Sequence, residues 1–134
     1  MAQKPLVDGS FEASVQLLRE LDKGEFKPEL AAWFYYDDVE DWRLLLCGKK
    51  INEYLPGKEA LAYKVIAESL GKTNEALTVS DVKFVKTDAP LIVALSFLIG
   101  TGPDDASKIS MSNNTINGIF IKDMVVLRSA VKRT

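Results

Sequence analysis

The sequence predicts an α+β fold, a single domain with a mainly antiparallel sheet of about five strands and two to three helices packed on one face. Segments with apolar residues at helical spacing are interspersed with short segments rich in aromatic and aliphatic residues. Two pairs of these strand-like segments are joined by short polar connections, which favours antiparallel pairing. The 134 residues, 47% hydrophobic and 27% charged, have the size and composition of one globular domain.

The first two helices are indicated by apolar periodicity and by residues at their ends. One runs from Phe11 to about Asp22, with Ser10 as its N-cap and Gly24 after its last turn. The other is "LPGKEALAYKVIAESLG", residues 55 to 71, which starts near a proline and ends at a glycine. Each has one apolar face, so we expect both helices to pack on the sheet.

A third helix is predicted where Asp88 can cap and Pro90 can occupy the first turn. It would extend to about Ile99 and stop at Gly100. This segment is apolar on nearly all sides, which predicts deep burial. Because periodicity alone does not separate the two, a buried strand is the alternative for residues 89–99.

Three regions predict strands. "AAWFYY" and "DWRLLLCG" form a hairpin with two apolar faces, which indicates a central place in the sheet. "ALTVSDVKFVKTD" reads as a strand whose apolar phase changes, so we expect a bulge or bend near Ser80 and Asp81. The ending "KISMSNNTINGIFIKDMVVLRSA" predicts a hairpin from about Lys108 to Ser129, with Asn117-Gly118 as its turn.

The chain contains no histidine and one cysteine, Cys47. Catalysis by Ser-His-Asp or Cys-His sets and metal sites that use histidine are therefore excluded for this chain. No histidine is present to activate Cys47, and we expect it to act as a small buried hydrophobe. The glycines form no phosphate-binding loop. We predict no catalytic set and no cofactor, so a non-enzymatic role is preferred.

Four acids, Asp37, Asp38, Glu40 and Asp41, separate the two aromatic strands. Carboxylates are the ligands that magnesium and calcium prefer. However, the spacing is not that of a helix–loop–helix calcium site, and the tip of a hairpin is exposed. We interpret the acids as a solvated connection. The alternative is a small enzyme or regulator that depends on a divalent metal held by these carboxylates.

The hairpin is unusually rich in aromatic residues that dominate protein interfaces. Core packing explains many of them, but their density on both faces also indicates a binding surface. Our preferred hypothesis is a non-enzymatic binding or accessory module that self-associates, as a homodimer or with a protein partner, through its sheet or the aromatic hairpin. The interaction candidates are Trp33, Tyr35, Tyr36, Trp42 and Arg43.

The net charge is −2 and the pI is about 5.2. A nucleic-acid partner is disfavoured, because neutralising phosphates requires a concentrated basic surface. The C-terminal region is nevertheless basic, and nucleic-acid binding through it is a third hypothesis. Its bases are Lys108, Lys122, Arg128, Lys132 and Arg133.

The longest apolar run, residues 89–100, is shorter than the roughly 20 residues that cross a bilayer. The N-terminal residues have no apolar core of signal-peptide length. We therefore expect a cytoplasmic protein with no membrane partner. The whole chain, 1–134, is expected to form one domain, with flexible termini at 1–9 and 130–134.

Several runs together resemble a group of small uncharacterised bacterial α+β proteins. They are the aromatic strand, acidic turn and "DWRLLL" from Trp33 onward, the "KEALAYKVI" helix and the "INGIFIKDMVVLR" ending. The resemblance covers most of the chain after about Leu30. It implies a bacterial, cytoplasmic protein, and it implies neither an assigned activity nor agreed site residues.

Overall fold

Five strands form one mixed sheet in the computed structural model of the chain, which describes residues 5–72 and 76–132. The strands are β1 (Leu30–Tyr36), β2 (Asp41–Cys47), β3 (Val82–Phe84), β4 (Ile109–Ile116) and β5 (Ile119–Ser129). Their order across the sheet is β3-β2-β1-β5-β4. Only the β2–β3 pair is parallel, so the α+β class and a mostly antiparallel sheet of five strands are confirmed.

The aromatic hairpin lies at the centre of this sheet. Its register pairs Leu30 with Cys47 and Tyr36 with Asp41, and the other edge of β1 pairs with β5. Nearly every residue of β1 is buried. Because both sides of β1 are apolar, both sides need packing partners. A strand buried in this way is expected in the interior of a sheet rather than at its edge.

Helices cover both faces of the sheet. They are α1 (Asp8–Asp22), the short α2 (Lys49–Asn52), α3 (Glu59–Leu70) and α4 (Pro90–Leu98). We call the side on which α1 and α3 pack the first face; there they contact β1 residues such as Ala31 and Trp33. On the opposite side, the second face, α4 packs over Leu30, Ala32 and Phe34. The prediction that the helices pack on one face of the sheet is therefore confirmed for α1 and α3, and it is wrong for α4.

Two predicted helix ends need correction. The N-cap of α1 is Val7, so Ser10 lies inside the helix and does not cap it. Likewise Ala89, not Asp88, precedes α4, and no side chain caps that helix. Pro90 does occupy the first turn of α4, and the alternative of a buried strand is wrong. The second predicted helix is shorter than expected, because residues 55–57 form a turn and Lys58 is the N-cap of α3.

The phase change predicted near Ser80 and Asp81 is real, but it is not a bulge. A 3₁₀ turn, Val79–Asp81, occupies this position, and only Val82–Phe84 continues as a strand. The turn is closed by the backbone N–H of Thr78, which donates to Asp81 Oδ2 at 2.9 Å. Like a bulge, a short 3₁₀ turn changes which residues point to a given face of the sheet. Unlike a bulge, it also interrupts the hydrogen bonding of the strand to its neighbour.

The β4–β5 hairpin turns at Asn117 and Gly118, as predicted, and both have positive φ, 49° and 80°. In β5 the side-chain alternation is interrupted, since Ile121 and Met124, three positions apart, both belong to the core of the second face. The predicted flexibility of segments 1–9 and 130–134 falls partly outside the described residues and stays a prediction.

An open groove on the second face

Three of the aromatic interaction candidates are core residues of the first face. Trp33, Tyr35 and Trp42 are 2%, 4% and 4% exposed. The indole Nε1 of Trp33 donates to Ser14 Oγ at 3.0 Å, and the rings of Tyr35 and Trp42 meet edge to face at 5.5 Å. Side chains buried and satisfied in this way present no surface to a partner.

The other two candidates, Tyr36 and Arg43, are partly exposed. The Tyr36 ring packs beside Phe34 on the second face, with the Lys83 ammonium 4.7 Å from its centroid. Arg43 pairs with Asp41 at 3.2 Å and donates to the backbone oxygen of Trp42. Of the predicted interaction residues, only Tyr36 belongs to the groove described below.

The acidic turn does not gather its carboxylates around one point. Asp37 accepts a 3.0 Å hydrogen bond from Lys122, which raises the pKa of that lysine, while Asp41 binds Arg43 and the backbone N–H of Trp42. Within the described ranges, no group of three acids or cysteines could hold a metal ion. The metal hypothesis stays a prediction, and the described geometry lends it no support.

The basic C-terminal region is largely engaged within the fold. Arg128 is fully buried and makes two 2.8 Å hydrogen bonds to the carboxylate of Asp22. Lys122 pairs with Asp37, and Lys108 lies 3.8 Å from Asp8. Arg133 lies outside the described residues. The nucleic-acid hypothesis stays a prediction, and its most central base, Arg128, is not exposed.

The second face is covered only in part. Helix α4 has nine residues, so it is about 14 Å long and about 10 Å wide. Five strands spaced by about 4.8 Å extend for roughly 19 Å between the outer two. One helix of this size leaves part of the sheet uncovered, beside its own first turn.

A groove of about 890 Å³ opens at this uncovered part and continues around the β3 edge of the sheet, where it meets Leu55 and Phe84 of the first-face core. Its floor includes Leu45 of β2 and Ile119 at the start of β5, and its walls are β3 with the segment after it, the turn before α3, and the first turn of α4. Most of the lining is apolar. The apolar residues that line it are Tyr36, Leu45, Leu55, Pro56, Phe84, Val85, Ala89, Pro90, Leu91 and Ile119.

The charged residues of the groove have both signs. Lys83 and Lys86 are exposed bases, and Glu59 and Asp88 are acids. Glu59 accepts a 2.9 Å hydrogen bond from the backbone N–H of Gly57, which fixes its carboxylate beside the turn. The groove therefore combines an apolar lining with a rim whose formal charge is balanced, and no histidine or cysteine lines it.

Helix α4 also presents apolar side chains to solvent. Phe97 is 76% exposed and Leu98 58%, and Pro90, Val93 and Phe97 recur at i, i+3 and i+7 along one stripe. The helix has no charged residue, and the hydroxyl of Ser96 donates to the Val93 carbonyl at 2.8 Å. The expectation of deep burial holds for only one side of this helix, the side of Ile92 and Leu95.

The groove and this stripe form the most distinctive surface of the described chain. An apolar concavity of this size suits the burial of apolar groups. Sequence reasoning missed the groove, because its residues come from five separated segments. The absence of charged residues in α4 was the available indication.

No family model, curated protein or solved structure matches this chain. The resemblance to small bacterial proteins therefore stays a prediction. None of the helices in the described segments has the length and apolar character needed to cross a bilayer.

Proposed function

We propose that this protein is a non-enzymatic binding module that self-associates through the second face of its sheet. The observation that supports the proposal is α4, a surface helix without a charged residue whose outer stripe exposes Phe97. An outer helix of a monomeric domain normally has polar residues on its solvent side. An apolar outer side is typical of a helix that another molecule covers.

The second face is preferred over the aromatic hairpin as the contact surface. Trp33 and Trp42 are already buried against the helices of the first face, so they have little apolar area left to bury. The exposed rings and aliphatic chains of α4 and the groove do have such area, and each Å² removed from water contributes about 25 cal/mol. A chain with a net charge of −2 also has little electrostatic repulsion between copies.

The proposal is tested by measuring molar mass over a range of concentrations by light scattering and analytical ultracentrifugation. We expect the native chain to form a dimer and Phe97→Ser to dissociate it at concentrations where the native chain remains dimeric. Leu61→Ser is the matched control, since Leu61 is 55% exposed on α3, on the other side of the sheet. It should leave the mass unchanged.

Two results would contradict the proposal. A native chain that stays monomeric at high micromolar concentration would show that α4 is not covered by a second copy. A dimer that responds to Leu61→Ser and ignores Phe97→Ser would place the contact on α3 instead.

A further inference from the structure

We infer that a pocket beside the start of β1 binds a small dianion, a phosphate monoester with a compact aliphatic body. The pocket has a volume of about 310 Å³, and we call it the lysine pocket because Lys27, Lys49 and Lys132 line it. It lies at the end of β1 opposite to Tyr36, which lines the groove. The inference is therefore independent of the proposed self-association and goes beyond it.

Backbone hydrogen bonds hold separated segments of the chain around the lysine pocket. The backbone N–H of Glu29 donates to the Cys47 oxygen at 2.9 Å, and the N–H of Ala130 donates to the Glu29 oxygen at 2.8 Å. The N–H of Lys49 donates to Oε2 of the Glu29 side chain at 2.7 Å. Lys49 and Lys132 thus belong to segments that lie on either side of Glu29, and their side chains line one space.

The lysine pocket has an excess of positive charge in a chain whose net charge is −2. Among the described residues, three lysines and a single acid, Glu29, line it. Lys27 is paired with Asp104. Neither Lys49 nor Lys132, both exposed, forms an ion pair within the segments that the structure describes. Two ammonium groups without a counter-ion therefore share one concavity, and an anion between them would offset their repulsion.

Two properties of the lysine pocket favour a small phosphate ester over other anions. A phosphate monoester carries nearly two negative charges at neutral pH and three acceptor oxygens, so it can neutralise both ammonium groups, whereas a carboxylate neutralises one. The rest of the lining is aliphatic, from Pro28, Pro103 and Ala130, and no aromatic ring of the described chain lines it. A nucleobase would therefore have no ring on which to stack, which favours a ligand with an aliphatic body.

Titration of the isotope-labelled protein with glycerol phosphate, followed by NMR at constant ionic strength, tests this inference. We expect saturable shifts at the amides of Glu29, Lys49 and Ala130, with half-saturation below about 10 mM. Lys49→Met and Lys132→Met should each weaken binding by about tenfold, because each removes the attraction between one ammonium group and the dianion. Acetate at the same ionic strength should bind about tenfold more weakly than glycerol phosphate.

Lys50→Met is the matched control. It changes the net charge of the chain by the same amount, but Lys50 is paired with Glu53 at 3.7 Å and does not line the pocket. Its loss should change the affinity by less than about twofold. Glu29→Gln keeps an acceptor for the Lys49 N–H and removes the carboxylate charge, so it should tighten binding by about threefold. Thermal melting shows that each variant is folded.

The outcomes distinguish a specific site from a general attraction of anions. Saturable shifts at the lysine pocket that weaken in Lys49→Met and Lys132→Met, and persist in Lys50→Met, support the inference. Shifts that do not saturate, or that weaken equally in all three lysine variants, overturn it. Equal affinity for acetate and glycerol phosphate overturns it as well, because the pocket would then not select a dianion.

Discussion

Arg128 and Asp22, 106 positions apart in the sequence, form a two-bond ion pair inside the fold. Nη1 and Nη2 of the arginine each donate to one oxygen of the carboxylate at 2.8 Å. The same guanidinium donates to the backbone oxygens of Pro28 and Asp105. One buried side chain thereby connects the last turn of α1, the segment before β1, the loop before β4 and the last strand.

Asp22→Ala should lower the free energy of unfolding by about 3 kcal/mol, because it leaves a buried guanidinium charge without its counter-ion. Chemical denaturation followed by tryptophan fluorescence measures this change. Asp22→Asn should cost less, since the amide oxygen still accepts one hydrogen bond. Arg19→Ala is the control: Arg19 is half exposed and lies 3.7 Å from the same carboxylate, so its loss should cost less than about 1 kcal/mol. Equal effects of Asp22→Ala and Arg19→Ala would contradict this account.

Ser14→Ala should lower the free energy of unfolding by about 1–3 kcal/mol, because the indole N–H of Trp33 would remain buried without an acceptor. Trp33→Phe removes the donor as well as ring volume. The double variant should therefore cost less than the sum of the two single variants, since the missing acceptor no longer matters once the donor is gone. Urea denaturation of all four proteins gives this coupling, and strict additivity would show that the hydrogen bond contributes nothing.

Gly118→Ala should destabilise the protein by about 1 kcal/mol, because the turn requires positive φ there. A Cβ at Gly118 would meet no atom within 4 Å, so the cost is purely conformational. Gly9→Ala is the matched control: it is equally free of contacts but helical, and should raise stability by up to about 1 kcal/mol. Thermal melting compares them, and a shift of the same sign in both would contradict the explanation.

The Lys122–Asp37 contact should be detectable in the dependence of stability on pH. Its hydrogen bond raises the pKa of Lys122 above 10.5 in the folded state. Its stabilising contribution is therefore complete below that pH and disappears as the pH rises through the folded-state pKa. The stability difference between the native chain and Lys122→Met should therefore shrink as the pH rises above 10.5. A difference that stays constant over this range would contradict the assignment.

The fold class was predictable because β1, β2 and the β4–β5 hairpin carry local signals that tertiary contacts only reinforce. The asparagine–glycine turn is one example, since its residues alone demand its geometry. The position of α4 on the second face was not predictable by the same reasoning. Helix α4 lies there because Leu30, Ala32 and Phe34 need to be covered. The face to which these three side chains point is known only once the register of the sheet is known.

The site was harder to predict than the fold for a related reason. The side-chain chemistry of the tryptophans predicts an interface, yet Trp33 is buried against Ser14, and that contact depends on where α1 crosses the sheet. Arg128 belonged to a basic tail in the linear sequence, but it becomes a buried connector once Asp22 is near. Only α4 had an unusual surface that the sequence alone indicated, because its nine residues include no charge and only one polar residue, Ser96.

The central place of β1 has a consequence for the order in which the chain can assemble during synthesis. Its first neighbour, β2, follows after a short turn, but its second neighbour, β5, is made only after roughly eighty further residues. Until then one edge of an apolar strand has no partner, and its backbone groups can pair with another chain. The growing chain is thus most exposed to aggregation until β5 has been made and can pair with β1.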